Sequence, residues 1–376
     1  MLANCPICES ADLVQTVRRH RLPVLQNRVY ETRAAALAAP CAPFQLATCK
    51  TCGFSFNAAF QANLIAYDPN YDNEVPSPLF TRHMEMIATM LIERLNLTSG
   101  TVYDVGCGKG TFLRLLCRLA PGIQGVGVDP SCTSTHENNF TLIRDEFRSD
   151  HIRADAKLVL LRHVLEHIPT PVSFLRMIRK AIPDIPLYVE VPSFEWILRK
   201  EAFWDFCYEH CNYFTGKSLK HALARAGFMT LSSQTCFGDQ YQWTLASPGN
   251  MTDTLSANGS TEVEAVLAYS ETEDAHLHAA KERIATANAP LVWGMATKGV
   301  IFSTLMNSNR LSGGIDLNPN KQKRFVPGSG IEIHPPEWIR DTIVNPTIFI
   351  MNANYAEEIR QLLFKMGVDA ESIVMG

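Results

Sequence analysis

The segment Thr101-Val-Tyr-Asp104-Val-Gly106-Cys-Gly108-Lys-Gly110-Thr-Phe-Leu113 decides the fold. Its beginning is an apolar stretch of strand length, and the apolar residues that follow Gly110 recur at helical spacing. Glycines between a strand and a helix let the backbone approach a ligand at the helix N-terminus, where free amides attract polar groups. The spacing Gly-x-Gly-x-Gly after an acidic residue therefore predicts a cofactor loop.

The sequence around this loop alternates short apolar strands with helical segments. An amphipathic helix over 80–95 precedes the loop. The predicted strands are 101–105, 125–128, 141–143, 158–161 and 187–191, and the predicted helices are 111–120 and 171–181. This alternation is typical of βαβ units and a parallel sheet.

Two further units flank this central one. Residues 1–75 are rich in cysteine and proline and show little periodicity, so we predict a small domain that a metal orders. We assign residues 76–250 to the central domain and 251–376 to a C-terminal domain. In the latter, a helix over 261–288 precedes a second α/β alternation, with strands at 291–294, 314–317, 330–333 and 347–351 and helices at 300–308 and 355–366.

Composition excludes several classes of protein. The chain has 376 residues, of which 46% are hydrophobic and 19% charged, which fits a globular enzyme and excludes a mainly disordered chain. The net charge is −4, so there is no global basic surface for nucleic acid or an anionic membrane. No apolar run reaches the roughly 20 residues of a membrane-spanning helix. The N-terminus lacks signal-peptide features, so we expect a cytoplasmic protein.

The cysteines near the N-terminus are spaced as metal ligands. Cys5, Cys8, Cys49 and Cys52 form two Cys-x-x-Cys pairs, and four thiolates suit a closed, tetrahedral, structural Zn²⁺ site. The segment 9–48 between the pairs is longer than the about 15–20 residues of a zinc ribbon, so an insertion is required. Unrelated buried cysteines and a redox pair are the alternatives. Such a zinc site would have no open position for chemistry, and Cys41 is not expected to be a ligand.

The glycine loop resembles the first motif of class I S-adenosylmethionine (SAM) dependent methyltransferases. The resemblance implies that Asp104 helps to bind the methionine end of SAM. The resemblance also implies that three glycines line the cofactor, namely Gly106, Gly108 and Gly110. The alternative is a dinucleotide fingerprint, which would need glycine or alanine where Thr111 stands.

Later markers of the same family follow in order. Asp129-Pro130 ends the second strand, where the family has an acidic residue that binds the ribose hydroxyls. A carboxylate suits this role because both hydroxyls can donate to it. The segment 157–169 resembles the fourth strand and the residues beside SAM, which makes His163 a cofactor contact. We expect His167 to be structural.

The segment 203–214 is the candidate catalytic region. It is dense in aromatic residues and places Tyr208, Glu209 and His210 side by side after the fifth strand, where an acceptor would meet the methyl group. An aromatic core turn with incidental polar residues is the alternative interpretation.

The whole chain resembles the C-methyltransferases of nucleotide-linked 4-keto deoxysugars. They combine an N-terminal cysteine unit, a SAM domain and a C-terminal α/β unit, and they have a Glu-His pair at the position of Glu209-His210. The resemblance implies deoxysugar biosynthesis, with His210 as the general base. Our mechanistic hypothesis adds that Glu209 orients His210 and that Tyr208 or Asn212 donates a hydrogen bond to the enolate oxygen. Two departures are Cys207, where the family has tyrosine, and Phe237–Gln242, where it has His-Gly-Gly-x-x-Arg. Without that arginine, the expectation of a phosphate-bearing acceptor is weaker.

These observations predict an α/β protein with a central Rossmann-like SAM-binding domain, a small N-terminal four-cysteine zinc-binding domain and a C-terminal Rossmann-like α/β domain. The expected activity is C-methylation of a small, keto-sugar-like molecule, with a sugar nucleotide among the candidate acceptors. O- or N-methylation and a non-catalytic SAM-binding or zinc-mediated interaction protein stay open as alternatives. The cofactors are SAM and structural Zn²⁺, and no nucleic-acid or membrane partner is expected. Lys298, beside the Trp293-Gly294 turn, is a candidate to hold an anionic substrate group in a domain that could equally serve only for packing.

Overall fold

The computed structural model describes residues 2–68, 71–72, 74, 77–153, 155–249, 258–306 and 309–376. The predicted domain boundaries at 75/76 and 250/251, and the last two residues of the helix predicted at 300–308, lie outside the described residues. No helix in the described ranges is long and apolar enough to cross a membrane.

Strands and α-helices are numbered in chain order over the described residues. The strands are β1 (Leu13–Pro23), β2 (Cys41–Cys49), β3 (Ser55–Asn57), β4 (Gly100–Val105), β5 (Ile123–Val128), β6 (Thr135–Glu137), β7 (Phe140–Ile143), β8 (Ala156–Arg162), β9 (Leu187–Pro192), β10 (Asn212–Tyr213), β11 (Phe228–Cys236), β12 (Tyr241–Pro248), β13 (Leu291–Trp293), β14 (Gly313–Ile315), β15 (Ile333–His334), β16 (Thr347–Ile350) and β17 (Glu371–Val374). The helices are α1 (Arg33–Leu37), α2 (Pro78–Leu95), α3 (Thr111–Leu119), α4 (Pro171–Ala181), α5 (Phe194–Arg199), α6 (Gly216–Arg225), α7 (Ser260–Thr286), α8 (Thr297–Met306), α9 (Glu337–Thr342) and α10 (Ala356–Lys365).

The large central sheet confirms the predicted α/β fold. Its strand order is β11-β12-β9-β8-β4-β5-β7-β6. The strands from β9 to β7 are parallel, as predicted, whereas β6, β11 and β12 pair antiparallel at the two sides. Since β4 lies in the middle, the carboxyl ends of β4, β5 and β8 lie side by side at one edge, where ligands of open parallel sheets bind.

Local signals account for the helices that border this edge. Ser77 caps α2 by accepting a hydrogen bond from the Phe80 amide, and Pro78 occupies the first turn. Helix α2 ends at Asn96, whose φ of 48° is left-handed. Helix α3 begins directly after Gly110, which has a φ of 77° that few other residues tolerate.

The N-terminal part forms a sheet that the sequence did not predict. Its order is β1-β2-β3-β10, all antiparallel. The last strand, β10, comes from the candidate catalytic segment, since Asn212 pairs with Phe56 and Tyr213 with Ser55. The sheet therefore spans the N-terminal part of the chain and the segment beside Glu209 and His210.

The C-terminal part contains a second, smaller parallel sheet, whose strands follow the long helix α7 in the chain. Its order is β15-β14-β13-β16-β17, with every strand pair parallel, as the alternation predicted. The strand predicted at 330–333 is wrong in its bounds, because Gly330 has a φ of 66° and its amide closes a turn on the Val326 carbonyl. The strand β15 starts only at Ile333.

One buried carboxylate joins the units. Asp72, in the segment that connects the N-terminal sheet to α2, accepts hydrogen bonds from Lys109 of the glycine loop at 2.5 Å, Asn318 at 2.9 Å and Asn320 at 2.8 Å. The two asparagines follow β14, so the carboxyl edge of the C-terminal sheet lies next to that of the central sheet. Residues of all three units thus meet at the carboxyl edge of the central sheet.

Candidate functional site

The glycine loop connects β4 to α3 and adopts a conformation that suits glycine. Gly106, Gly108 and Gly110 have φ values of 73°, 54° and 77°. A Cβ on Gly106 would lie 2.4 Å from a methyl carbon of Val164. The loop therefore turns sharply between the carboxyl end of β4 and the N-terminus of α3, the part of a helix that favours bound anions.

Asp104 is the buried acidic group of this loop. Its side chain is 3% exposed, and its Oδ1 is buried without a hydrogen-bond partner among the described residues. Burial raises the pKa of Asp104 to about 7, the nearby charges of Asp129 and Glu190 act in the same direction, and Arg162 opposes them. A buried acceptor without a donor is costly, so this oxygen is suited to a cationic donor from a ligand.

Asp129 stands at the end of the next strand and is held in a fixed orientation. Its Oδ2 accepts a hydrogen bond from the Gly108 amide at 2.9 Å, and its Oδ1 accepts from the Ser131 amide at 2.7 Å and hydroxyl at 2.6 Å. Pro130 lies between them and, like Asp129, is partly exposed. The structure thus places Asp104, the glycines and Asp129 at the carboxyl ends of the neighbouring strands β4 and β5.

His163 follows β8 and carries a positive φ of 55°. Its Nδ1 lies 3.7 Å from Glu166 Oε1, and its Nε2 lies 3.4 Å from Glu190 Oε1. Burial alone would lower the pKa of His163, but these two carboxylates raise it to about 9. His163 is therefore an imidazolium at the edge where the loop and β9 meet.

Glu190 is a central residue of the site that the sequence analysis missed. It is fully buried in β9 and contacts Arg162 at 3.0 Å, His83 at 3.2 Å and the Tyr188 hydroxyl at 2.9 Å. Burial would raise the pKa of Glu190, but Arg162 and the histidines hold it well below its usual value. The available signal was a single acidic residue in the otherwise apolar strand Leu187–Pro192.

Glu209 points away from His210 and toward the N-terminal part of the chain. Its Oε1 accepts from the Gln26 amide at 3.1 Å, and its Oε2 accepts from the hydroxyls of Tyr71 at 2.8 Å and Tyr67 at 3.5 Å. Burial raises the pKa of Glu209, while His167 and these donors oppose the shift. The sequence neighbours Glu209 and His210 therefore do not meet through their side chains in the described part of the chain.

His167 connects the two residues instead. Its Nδ1 lies 3.1 Å from the Glu209 carbonyl oxygen and 3.0 Å from the Tyr67 hydroxyl, and its ring meets that of His210 edge to face at 4.8 Å. His167 was expected to be structural, and Tyr67 was not singled out. Only the tertiary fold brings them to this site.

His210 is a partly buried imidazole in a cationic neighbourhood. Burial lowers the pKa of His210 well below its usual value, and the charges of His167, His163 and Lys298 act in the same direction. The ring is therefore neutral at physiological pH, with a lone pair that can accept a proton.

The other candidate hydrogen-bond donors, Tyr208 and Asn212, make hydrogen bonds within the protein. The Tyr208 hydroxyl accepts from the Gln61 amide at 2.9 Å, and burial raises the pKa of Tyr208. The Asn212 amide donates to the carbonyls of Leu165 at 2.9 Å and Ile168 at 2.7 Å. These bonds anchor the segment 203–214 to its neighbours.

Lys298 is also engaged within the protein. Its ammonium contacts Asp205 at 2.5 Å and lies 4.2 Å from the centre of the Trp196 ring. Burial lowers the pKa of Lys298, while Asp205 opposes the shift. An anionic substrate group would have to compete with the Asp205 carboxylate for this lysine.

The four predicted zinc ligands converge at one point. The ligand atoms of Cys5, Cys8, Cys49 and Cys52 all lie within 4.8 Å of one another, and their thiols are free. The Sγ atoms of Cys5 and Cys52 are 3.6 Å apart, and those of Cys8 and Cys49 are 3.4 Å apart. Four sulfur atoms at such distances fit a tetrahedral Zn²⁺ with Zn–S bonds of about 2.3 Å.

Comparison with known proteins assigns the central part of the chain. Residues 80–233 match a family model described as a methyltransferase domain. These residues are a methyltransferase domain. The matched range includes α2 from its third residue, the glycine loop, Asp104, Asp129 and the Glu209-His210 segment.

Similar proteins include a C-methyltransferase and several methyltransferase structures. The chain is 30% identical over 151 residues to the C-methyltransferase NovU of Streptomyces niveus, a match of 37% of this chain and 35% of that protein. The match thus spans about a third of that relative's length. A SAM dependent methyltransferase from Aquifex aeolicus has 15% identity and a TM-score of 0.37, covering 49% of this chain and 100% of that one. The Burkholderia thailandensis 1,6-didemethyltoxoflavin-N1-methyltransferase has 16% identity and a TM-score of 0.35, covering 46% and 82%.

Proposed function

We propose that the protein is a SAM-dependent methyltransferase that methylates a carbon of a small, keto-sugar-like molecule, with His210 as the general base. The observation that carries the proposal is the buried, unpartnered Asp104 oxygen at the glycine loop of a methyltransferase domain, on the same sheet edge as a neutral His210. One group suits a bound ammonium, and the other suits proton removal from an acceptor.

The residues at the loop fit SAM. Asp104 would accept from the α-ammonium group, Gly106, Gly108 and Gly110 would line the amino-acid part, and Asp129 with Pro130 would border the ribose. The imidazolium of His163 would contact the methionine part, whose carboxylate matches its charge. When bound, SAM supplies an electrophilic methyl group on a sulfonium and leaves as S-adenosylhomocysteine.

The catalytic segment would prepare the acceptor. His210 takes a proton from the carbon beside a carbonyl, which leaves an enolate as the carbon nucleophile. Glu209 stabilises the resulting imidazolium at a distance, through His167 rather than by a direct hydrogen bond. The Tyr208 hydroxyl oxygen accepts a hydrogen bond from the Gln61 amide. Its own hydrogen therefore points away from that amide and can be donated to the enolate oxygen. Donors of this kind are typically worth about 3 kcal/mol.

The similarity to a C-methyltransferase supports carbon as the methylated atom, and it covers only part of each chain. Methyl transfer to oxygen or nitrogen would use the same base and is the second candidate. Zinc would be held by Cys5, Cys8, Cys49 and Cys52 as a structural ion, because four thiolates leave no open coordination position.

The proposal is tested with purified protein, radiolabelled SAM and a thymidine-diphosphate 4-keto-6-deoxysugar as the acceptor probe. Transfer of label to a carbon of the sugar, located by NMR, is the expected result. Titration with S-adenosylhomocysteine separates cofactor binding from acceptor choice. Binding without transfer to this probe, followed by label on the oxygen of a hydroxylated probe, would favour the second candidate. Absence of S-adenosylhomocysteine binding would contradict the proposal.

Cofactor affinity should depend on pH through Asp104. Because its pKa in the free protein is raised to about 7, the carboxyl must lose a proton before it can pair with an ammonium. Affinity for S-adenosylhomocysteine is therefore expected to fall about tenfold from pH 8 to pH 6, measured by calorimetry. The variant Asp104→Asn should bind S-adenosylhomocysteine more weakly at pH 8, and its affinity should no longer depend on pH in this range. The control variant Asp150→Asn, at an exposed site, should keep the wild-type affinity and its pH dependence. 5′-Methylthioadenosine, which lacks the ammonium, should show no such slope, and an equal slope would contradict the assignment.

A further inference from the structure

Lys321 is a buried cation of the C-terminal unit that the proposed mechanism does not use. It lies in the loop after β14 and is 1% exposed. Its ammonium donates to Asn27 Oδ1 at 3.0 Å and to the Met295 carbonyl at 3.3 Å. A lysine at this depth is rare unless it is paired, so its position calls for an explanation.

The contacts beyond Lys321 run in one direction. An ammonium can only donate, so the Asn27 atom facing it must be the amide oxygen. The Asn27 amide nitrogen then donates to the Tyr71 hydroxyl oxygen at 3.4 Å, and the Tyr71 hydroxyl in turn donates to Glu209 Oε2 at 2.8 Å. Each donor polarises the next in such a chain. The chain begins at a cation and ends at a carboxylate.

We propose that Lys321 is a positioning residue that, through Asn27 and Tyr71, holds Glu209 as an oriented carboxylate 3.9 Å from His167, whose ring contacts that of His210. This inference rests on the proposed function, since it gives Glu209 a part in the chemistry of His210. The proposed role of Lys321 also means that the C-terminal unit helps to position an active-site residue, which the methyltransferase domain alone could not do.

Other charged and titratable groups face both ends of the chain. Those that act on Lys321 are Asp72, Lys109, Glu209 and Asp316. Those that act on Glu209 or are acted on by it are Tyr67, Tyr71, His167 and Cys207. Lys109 is bonded to Asp72, whereas Lys321 donates into the hydrogen-bond chain that reaches Glu209. Loss of Lys321 should therefore raise the pH at which Glu209 titrates.

The experiment is a pH titration by NMR of protein labelled at its histidine rings, with S-adenosylhomocysteine bound. The signal of His167, which lies 3.9 Å from Glu209 Oε2, should show a step caused by the protonation of Glu209. In the variant Lys321→Met this step is expected to move upward by about one pH unit. The variant Lys321→Arg, which keeps the charge, should return it close to the wild-type position. The matched control is Lys323→Met, which removes an exposed lysine two residues away in the same loop.

A second variant guards against misfolding of Lys321→Met. Asn27→Leu keeps the lysine but interrupts the chain, so it should move the step in the same direction. A step that stays at the wild-type pH in folded Lys321→Met and Asn27→Leu would overturn the inference, and so would an equal shift in Lys323→Met. Failure of the proposed function would instead appear in the wild-type protein, as no cofactor binding or no methyl transfer.

Discussion

Replacing His210 by alanine is expected to reduce methyl transfer by about 100-fold to 10,000-fold, the usual contribution of a general base. The reason is the neutral lone pair that burial and the neighbouring cations give this imidazole. Asp104 and the glycine loop belong to other elements, so affinity for S-adenosylhomocysteine should stay within about twofold of wild type, since substitutions away from a site rarely exceed ±0.5 kcal/mol. Initial rates at saturating SAM and calorimetry together measure the two effects.

The matched control is His278→Ala, which removes a histidine whose side chain is 73% exposed on α7. It should leave the rate unchanged. A His210→Ala protein that retains a tenth or more of wild-type activity would contradict the base assignment. Recovery of activity by added imidazole, without recovery in an equally slow Glu209→Gln variant, would assign the proton transfer to position 210 itself.

The sequence predicts those parts of the fold whose signals are local. The glycine loop, the acidic residue that follows β5 and the helix start at Pro171 are each encoded within a few residues, and the structure has them where they were predicted. Helix α2 begins at Pro78, two residues before the predicted start at 80. The parallel alternation is likewise visible because its strands are buried on both faces and read as apolar runs.

The N-terminal hairpin escaped prediction because its pattern is masked by charge. Strand β1 contains Arg18-Arg19-His20-Arg21, which reads as a solvated loop. In the structure Arg19 is buried by a bidentate ion pair with Glu273 of α7, at 2.9 and 2.5 Å. The partner is far away in the sequence, so no local pattern could indicate that this arginine lies within a strand.

The candidate site was likewise predictable only in part. The Glu209-His210 pair is visible as a motif, and its adjacency suggested that the glutamate orients the imidazole directly. The structure instead turns Glu209 toward Tyr67 and Tyr71, which come from the segment before α2. The chain bends at Tyr208 and Glu209, so adjacency in sequence does not bring the Glu209 carboxylate to the His210 ring.

Loss of the zinc proposed at Cys5, Cys8, Cys49 and Cys52 is expected to disable the enzyme although this site lies outside the segment 203–214. The Cys49–Cys52 pair leads into Phe54 and β3, and β3 pairs with β10, which begins two residues after His210. Phe54 packs against Phe214 at 5.1 Å. Structural zinc sites contribute roughly 10 kcal/mol to folding. Loss of the metal should therefore unfold the region around β3, which pairs with β10 of the segment 203–214.

The variant Cys49→Ser should therefore lose its zinc, measured by elemental analysis, and its melting temperature should fall by about 10 °C or more, since each kcal/mol shifts Tm by about 2–4 °C in a domain of 150–250 residues. Methyl transfer should fall with zinc content. The control is Cys41→Ser, because Cys41 lies at the other end of the same strand and its thiol donates to the Ala39 carbonyl. Equal zinc loss in both variants would contradict the four-cysteine assignment. Full activity in zinc-free Cys49→Ser would show that β10 holds His210 in place without a metal at the four-cysteine site.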